Sequence, residues 1–199
     1  MSKPFGNEMR KYGFKGTGFY YYKATEDYLI AVYIEPGRWG GKCTARFAIH
    51  PKSITKNYNG KLDLTKLKVY DYEFKMNLTG NARGMWWHYS NDEFTNLVTL
   101  NDIIKNIKKR AFSVIEQFTQ QPNILDEFQV SDIDNFYDNW TKKTGVFIST
   151  VDGQFAWAMM LIFENKDLGK AKDFAKWLLA SCDNKTGWYS KDIKRVLNK

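Results

Sequence analysis

Tyr28-Leu29-Ile30-Ala31-Val32-Tyr33-Ile34, a break at Pro36-Gly37-Arg38-Trp39-Gly40-Gly41, and then Cys43-Thr44-Ala45-Arg46-Phe47-Ala48-Ile49-His50 decide the fold. The first run is almost continuously apolar and rich in β-branched and aromatic residues, as a central strand buried on both faces requires. Three glycines and a proline then stop it. In the second run Cys43, Ala45, Phe47 and Ile49 alternate with Thr44, Arg46 and His50, the period of an antiparallel partner strand.

Upstream, the first dozen residues predict a short helix ending at Gly13, and Phe19 to Tyr22 predict a strand that a turn at Ala24-Thr25-Glu26-Asp27 joins to Tyr28. Downstream, Pro51 to Lys68 is a polar connection. Tyr70, Tyr72, Phe74, Met76 and Leu78 then alternate with Asp71, Glu73, Lys75 and Asn77, which predicts a nine-residue strand whose polar face meets solvent or a ligand. A turn at Asn81 to Gly84 leads to a fifth strand, Met85 to Tyr89, with Trp86 and Trp87 on opposite faces.

From Thr99 the period changes. Thr99 and Asp102 have capping-box spacing, and Leu100, Ile103, Ile104, Ile107, Ala111, Val114, Ile115 and Phe118 hold a helical rhythm for five turns, with Pro122 beyond its end. Asp126 to Trp140 reads as one or two short helices. Phe155 to Phe163 is apolar all round, as in a buried helix, and Leu168 to Cys182 carries a clean apolar stripe, so the two form an antiparallel pair across Glu164 to Asp167. Ser190 is placed to cap a last short helix. The expectation is one α+β domain over 1–199: a twisted antiparallel sheet of about five strands (1–98), packed by a long amphipathic helix and a C-terminal helical hairpin (99–199).

With 43% hydrophobic residues and 17% aromatic, the chain has the material for one continuous core. It has no apolar run suited to a signal peptide or a bilayer span, which points to a cytoplasmic protein without membrane association. The formal charge is +8, a field that favours acidic partners, although only six of the 30 basic residues are arginine. Cys43 and Cys182 are far apart and have no histidine cluster nearby, so reduced, packed thiols are expected and no metal site.

Catalytic signatures are missing from the pattern. Gly37-Arg38-Trp39-Gly40-Gly41-Lys42-Cys43 is one residue too short for a phosphate-binding loop, has cysteine where the magnesium-binding hydroxyl belongs, and lies between two strands. Asp71 and Glu73 should project from one strand face about 7 Å apart, with Lys75 beyond them and Arg46 as a cross-strand partner. His50 could join Glu73 and Arg46 in a hydrolase site, yet an acid–base row on a sheet is more commonly a solvated surface. Arg38 and Trp39 are displayed by the hairpin. With Arg46, Glu73, Lys75 and Trp87 they form the candidate binding set, with no catalytic residue and no cofactor assigned.

Three landmarks in order carry a resemblance: Tyr12-Gly13-Phe14-Lys15-Gly16-Thr17-Gly18-Phe19-Tyr20, Ile34-Glu35-Pro36-Gly37-Arg38-Trp39-Gly40-Gly41, and Tyr72-Glu73-Phe74-Lys75-Met76-Asn77-Leu78 ahead of Trp86-Trp87. Over about the first 120 residues the chain resembles a bacterial family known only as a domain of unknown function, with a GFKxxGxxFYR-like start, a WGG hairpin and an eFRxRL-like strand. Glu35 stands where that pattern has glutamine and Lys75 where it has arginine. The resemblance implies a small cytoplasmic protein of toxin–immunity or conflict loci that binds and blocks a protein partner. The alternative is nucleic-acid binding, with Trp39, Trp86, Trp87 and Tyr20 to Tyr22 as stacking platforms beside Arg38, Arg46 and Arg83.

Overall fold

In the computed structural model, which describes residues 1–57, 60–79, 85–181, 187 and 189–199, the quoted hairpin is the centre of the sheet. Strands β3 (Tyr28–Pro36) and β4 (Lys42–Pro51) pair antiparallel from Tyr28↔Pro51 to Pro36↔Cys43. The sheet order is β1 (Lys15–Thr17), β2 (Tyr20–Ala24), β3, β4, β7 (Phe74–Asn77), and β8 (Trp87–His88) shares the outer edge of β4 with β7. A separate two-stranded pair, β5 (Lys56–Asn57) and β6 (Gly60–Lys61), follows β4. Strand β1 was not anticipated from the sequence. It depends on Gly16, because a Cβ there would lie 2.1 Å from the Tyr20 carbonyl oxygen across the ladder.

Period-two alternation gives the sheet two different faces. Inward, Ile30, Val32, Ala45, Phe47, Ile49 and Phe74 meet the helices in a buried cluster that runs from Phe5 to Val196. Outward, Ala31, Tyr33 and Ala48 join Tyr72 in a second, small cluster, with Tyr20, Leu29, Leu67 and Val69 packed on it. The 62–72 connection therefore folds back over the outer face.

That return corrects the reading of Tyr70 to Leu78 as one long strand with an open polar face. Only Phe74–Asn77 is strand, Val69–Asp71 is a 3-10 turn, and Glu73 and Asn77 are buried. The edge of β7 is covered too: Met76 bridges Ile148, Ser149 N donates to Lys75 O at 2.6 Å, and Asn77 N donates to Phe147 O at 2.9 Å. A segment about 70 residues downstream thus satisfies an edge that would otherwise invite another chain.

Helix α1 (Ser2–Lys11) buries Phe5 and Met9 under the sheet. Helix α2 (Glu93–Asn106) begins six residues before the expected Thr99, because the Asp92 carboxylate accepts from Thr95 N at 2.6 Å. A π-helical turn, Ile107–Ala111, leads into α3 (Phe112–Thr119). Two 3-10 turns, Ile124–Glu127 and Val130–Asn135, precede α4 (Phe136–Thr144), α5 (Asp152–Phe163) and α6 (Leu168–Ser181). Trp140 of α4 is fully buried among Phe74, Phe118, Phe128, Phe136 and Phe155, with ring centroids 5.2 to 6.3 Å away. Helix α7 (Ser190–Leu197) has Tyr189 as its N-cap, with Ser190 its first residue, and it is pinned by a buried carboxylate. Asp192 accepts from Lys56 Nζ at 2.6 Å, Arg195 at 3.2 Å and Trp157 Nε1 at 3.2 Å. Among the described residues, no helix is long and apolar enough to cross a membrane. Cys182, Arg83 and the 81–84 turn lie outside the described residues.

Candidate functional site

The β3–β4 turn is closed by Gly37 N donating to Lys42 O at 2.7 Å and Gly40 N to Gly37 O at 3.0 Å. Gly40 and Gly41 take φ of 72° and 66°, a left-handed pair that side chains would strain. Tyr89 N donates to Gly41 O at 3.0 Å, which ties the turn to the segment after β8. On this pinned frame Trp39 is 84% exposed, with the Arg38 guanidinium 5.0 Å from its ring centroid. Beside it, Lys42 Nζ lies 4.8 Å from the ring of half-exposed Trp86, which packs against Gly37. Two cation–aromatic pairs thus flank one turn.

The start of α2 adjoins this end of the molecule: Thr99 Oγ1 donates to His88 O at 2.8 Å, and Asn96 bonds Ser90. Phe94, Leu97 and Val98, spaced i, i+3, i+4, form an apolar helix face left in solvent, with Phe94 75% exposed. Reading the helix from Thr99 missed them; Asp92 followed by that spacing was the available signal. At the turn end of the hairpin, Met1, Phe19, Ile34, Pro36, Cys43 and Tyr89 line an apolar cleft of 340 Å³. Burial pushes the Cys43 thiol pKa up, so it stays a neutral, packed thiol.

The other candidate residues go elsewhere. Trp87 falls on the inner sheet face, 6% exposed, and its Nε1 donates to Asp102 at 2.7 Å, so it is a core residue and not a platform. Arg46 lies on the outer face and pairs with Glu35 of β3 at 3.4 Å, not with the Asp71 and Glu73 row. Lys75 is half-buried, donates to Tyr70 O at 3.2 Å, and burial lowers its pKa. Glu73 is 0% exposed; its carboxylate accepts from Gln154 Nε2 at 2.8 Å, and burial pushes its pKa up to about 7. Asp71 sits in the 3-10 turn, where it accepts from Lys68 N and Asn57, so the two acids do not stand side by side on a strand.

His50 is fully buried, its Nε2 2.8 Å from the Ile54 carbonyl, and burial lowers its pKa. No hydrogen bond or ion pair joins any two of Arg46, His50 and Glu73 among the described residues. No group of three or more His, Cys, Asp or Glu side chains is placed to hold a metal among the described residues.

A family model described as Domain of unknown function (DUF4304) matches residues 5–117, and the chain belongs to that family. The match ends within α3, so it takes in the sheet and the first long helix. No curated protein and no solved structure matches the chain.

Proposed function

We propose that this DUF4304 protein is a non-catalytic protein-binding module of the immunity or conflict type, which holds its partner through the β3–β4 turn. The observation that carries the reading is Trp39, 84% exposed on a turn fixed by backbone hydrogen bonds and stacked by Arg38. Tryptophan and arginine are the side chains most often found to dominate protein interfaces, and a rigid turn lowers the entropy lost on binding. Trp86 and Lys42 beside the turn, and the exposed apolar face Phe94, Leu97 and Val98 at the same end of the molecule, supply further area. The cleft next to the turn fits an inserted apolar side chain. A net charge of +8 favours a partner with an acidic surface.

The test is affinity purification of the tagged protein from its host beside an Arg38→Ala/Trp39→Ala variant, followed by binding of the recovered protein to each purified form. One stoichiometric partner that binds the wild type and loses at least about 100-fold in affinity for the double variant, near 3 kcal/mol, supports the reading. Recovery of nucleic acid alone, with affinity that falls steeply as salt rises, would replace it with the nucleic-acid alternative.

A further inference from the structure

We propose that the outer face of the sheet carries a separate small-molecule site, selective for a planar aromatic or heteroaromatic ring bearing a carboxylate or phosphate. A groove of 560 Å³ lies between β2, the start of β3 and the 62–68 connection. That volume falls within the range of about 300–1,000 Å³ typical of small-ligand sites. Three tyrosines, three leucines and two lysines line it, and no carboxylate does.

The groove is already walled. Tyr20 Oη donates to the Leu67 carbonyl at 3.3 Å and shares a hydrogen bond with Tyr72 Oη at 3.2 Å, which ties the connection to the sheet. Leu29, Leu64 and Leu67 give it an aliphatic lining, and the Tyr20 and Tyr22 rings, 6.4 Å apart, add aromatic surface. Tyr22 is 44% exposed, and its hydroxyl has no hydrogen-bond partner among the described residues. A flat ring between aliphatic and aromatic walls matches this lining.

The charge selects the rest of the ligand. Lys52 Nζ donates to the carbonyls of Thr25 at 2.5 Å and Glu26 at 3.0 Å, while its backbone N donates to Asp27 O. Two neutral carbonyls hold the ammonium in place and leave its third N–H for an anion. Lys66, loosely paired with Asp63 at 3.7 Å, adds a second positive charge. Glu26 and Asp27 line the neighbouring cleft beside Tyr28, which Lys52 also borders, and neither lines the groove itself.

The experiment is an amide NMR titration of the full chain with adenosine 5′-monophosphate and, separately, 1-naphthoate, each against its neutral counterpart, adenosine or 1-naphthalenemethanol. At least one anion should shift amides of 20–24 and 64–67 saturably, with Kd below about 1 mM. Its neutral counterpart should bind at least about tenfold more weakly, as should Lys52→Met and Tyr22→Ala to the anion. Response to the nucleotide alone assigns a phosphate-bearing ligand, and response to naphthoate alone assigns an aromatic carboxylate. Tyr22→Ala changes an exposed rim residue, so it reports on the site even where Lys52→Met disturbs the turn. The proposal is overturned by unshifted amides with both anions at about 10 mM, by equal binding of the neutral compounds, or by wild-type affinity in both variants.

Discussion

Glu73 is a carboxyl held inside a protein without a cation bonded to it: Gln154 bonds one oxygen, and the other has no hydrogen-bond partner among the described residues. Its folded pKa of about 7 exceeds the ordinary 4.5, so between those values the folded chain keeps a proton that the unfolded chain has released. The resulting stabilisation is full below pH 4.5 and is lost as pH rises to about 7, an effect of up to roughly 3 kcal/mol. His50 has the opposite sign: its folded pKa is depressed, so stability falls as pH drops through 6.5 and below. Glu73→Gln should remove the first effect and leave the second. Urea midpoints at pH 5 and 8 check this, since the variant's gain over wild type must be larger at pH 8. Trp87→Phe tests the other reassigned residue. It removes the hydrogen bond to Asp102 and should cost about 1–3 kcal/mol, whereas a surface platform would cost almost nothing. Neither burial was legible in the sequence, because alternation tells which face a side chain takes and not what lies over that face.

At the scale of elements, the central hairpin and the helical pair were legible because their signals are local: a β-rich run, a Gly/Pro break, and an apolar stripe that ends in a short connection. The start of α2 was misplaced because two cap signals compete, and Asp92 wins over Thr99. Asp92→Ala should therefore lower stability by about 1 kcal/mol in chemical denaturation, while Thr99, whose hydroxyl bonds His88 O, contributes no cap. The anchoring of α7 could not be read from sequence, since Lys56 and Asp192 are 136 positions apart. Asp192→Asn keeps the volume but removes the charge that Lys56 and Arg195 face. It should cost about 2 kcal/mol in thermal unfolding and make α7 the first segment cut in limited proteolysis.

At the scale of the whole molecule, the two sheet faces divide the labour. The inner face and helices form the core, with Trp140 at the centre of five phenylalanines. The outer face is roofed by the chain's own 62–72 connection, and the long central hairpin carries its turn out to solvent with Arg38 and Trp39. Of the six candidate binding residues, only these two stay together at an exposed point, and the surface nearby at that end, Trp86 against Lys42 and the start of α2 bonded to His88, comes from beyond residue 84. Composition foretold that aromatic residues would be abundant; only three-dimensional placement separates the exposed Trp39 and Trp86 from the buried Trp87 and Trp140.

The most direct measurement of the central claim is photo-cross-linking in the host with benzoylphenylalanine at position 39, and at Leu179 of α6, 51% exposed, as control. A single protein adduct at position 39 that is absent at position 179, and lost when Arg38→Ala is added, is the predicted result. Equal adducts at both positions, or no protein adduct at position 39, would contradict the assignment of the β3–β4 turn as the partner-binding surface.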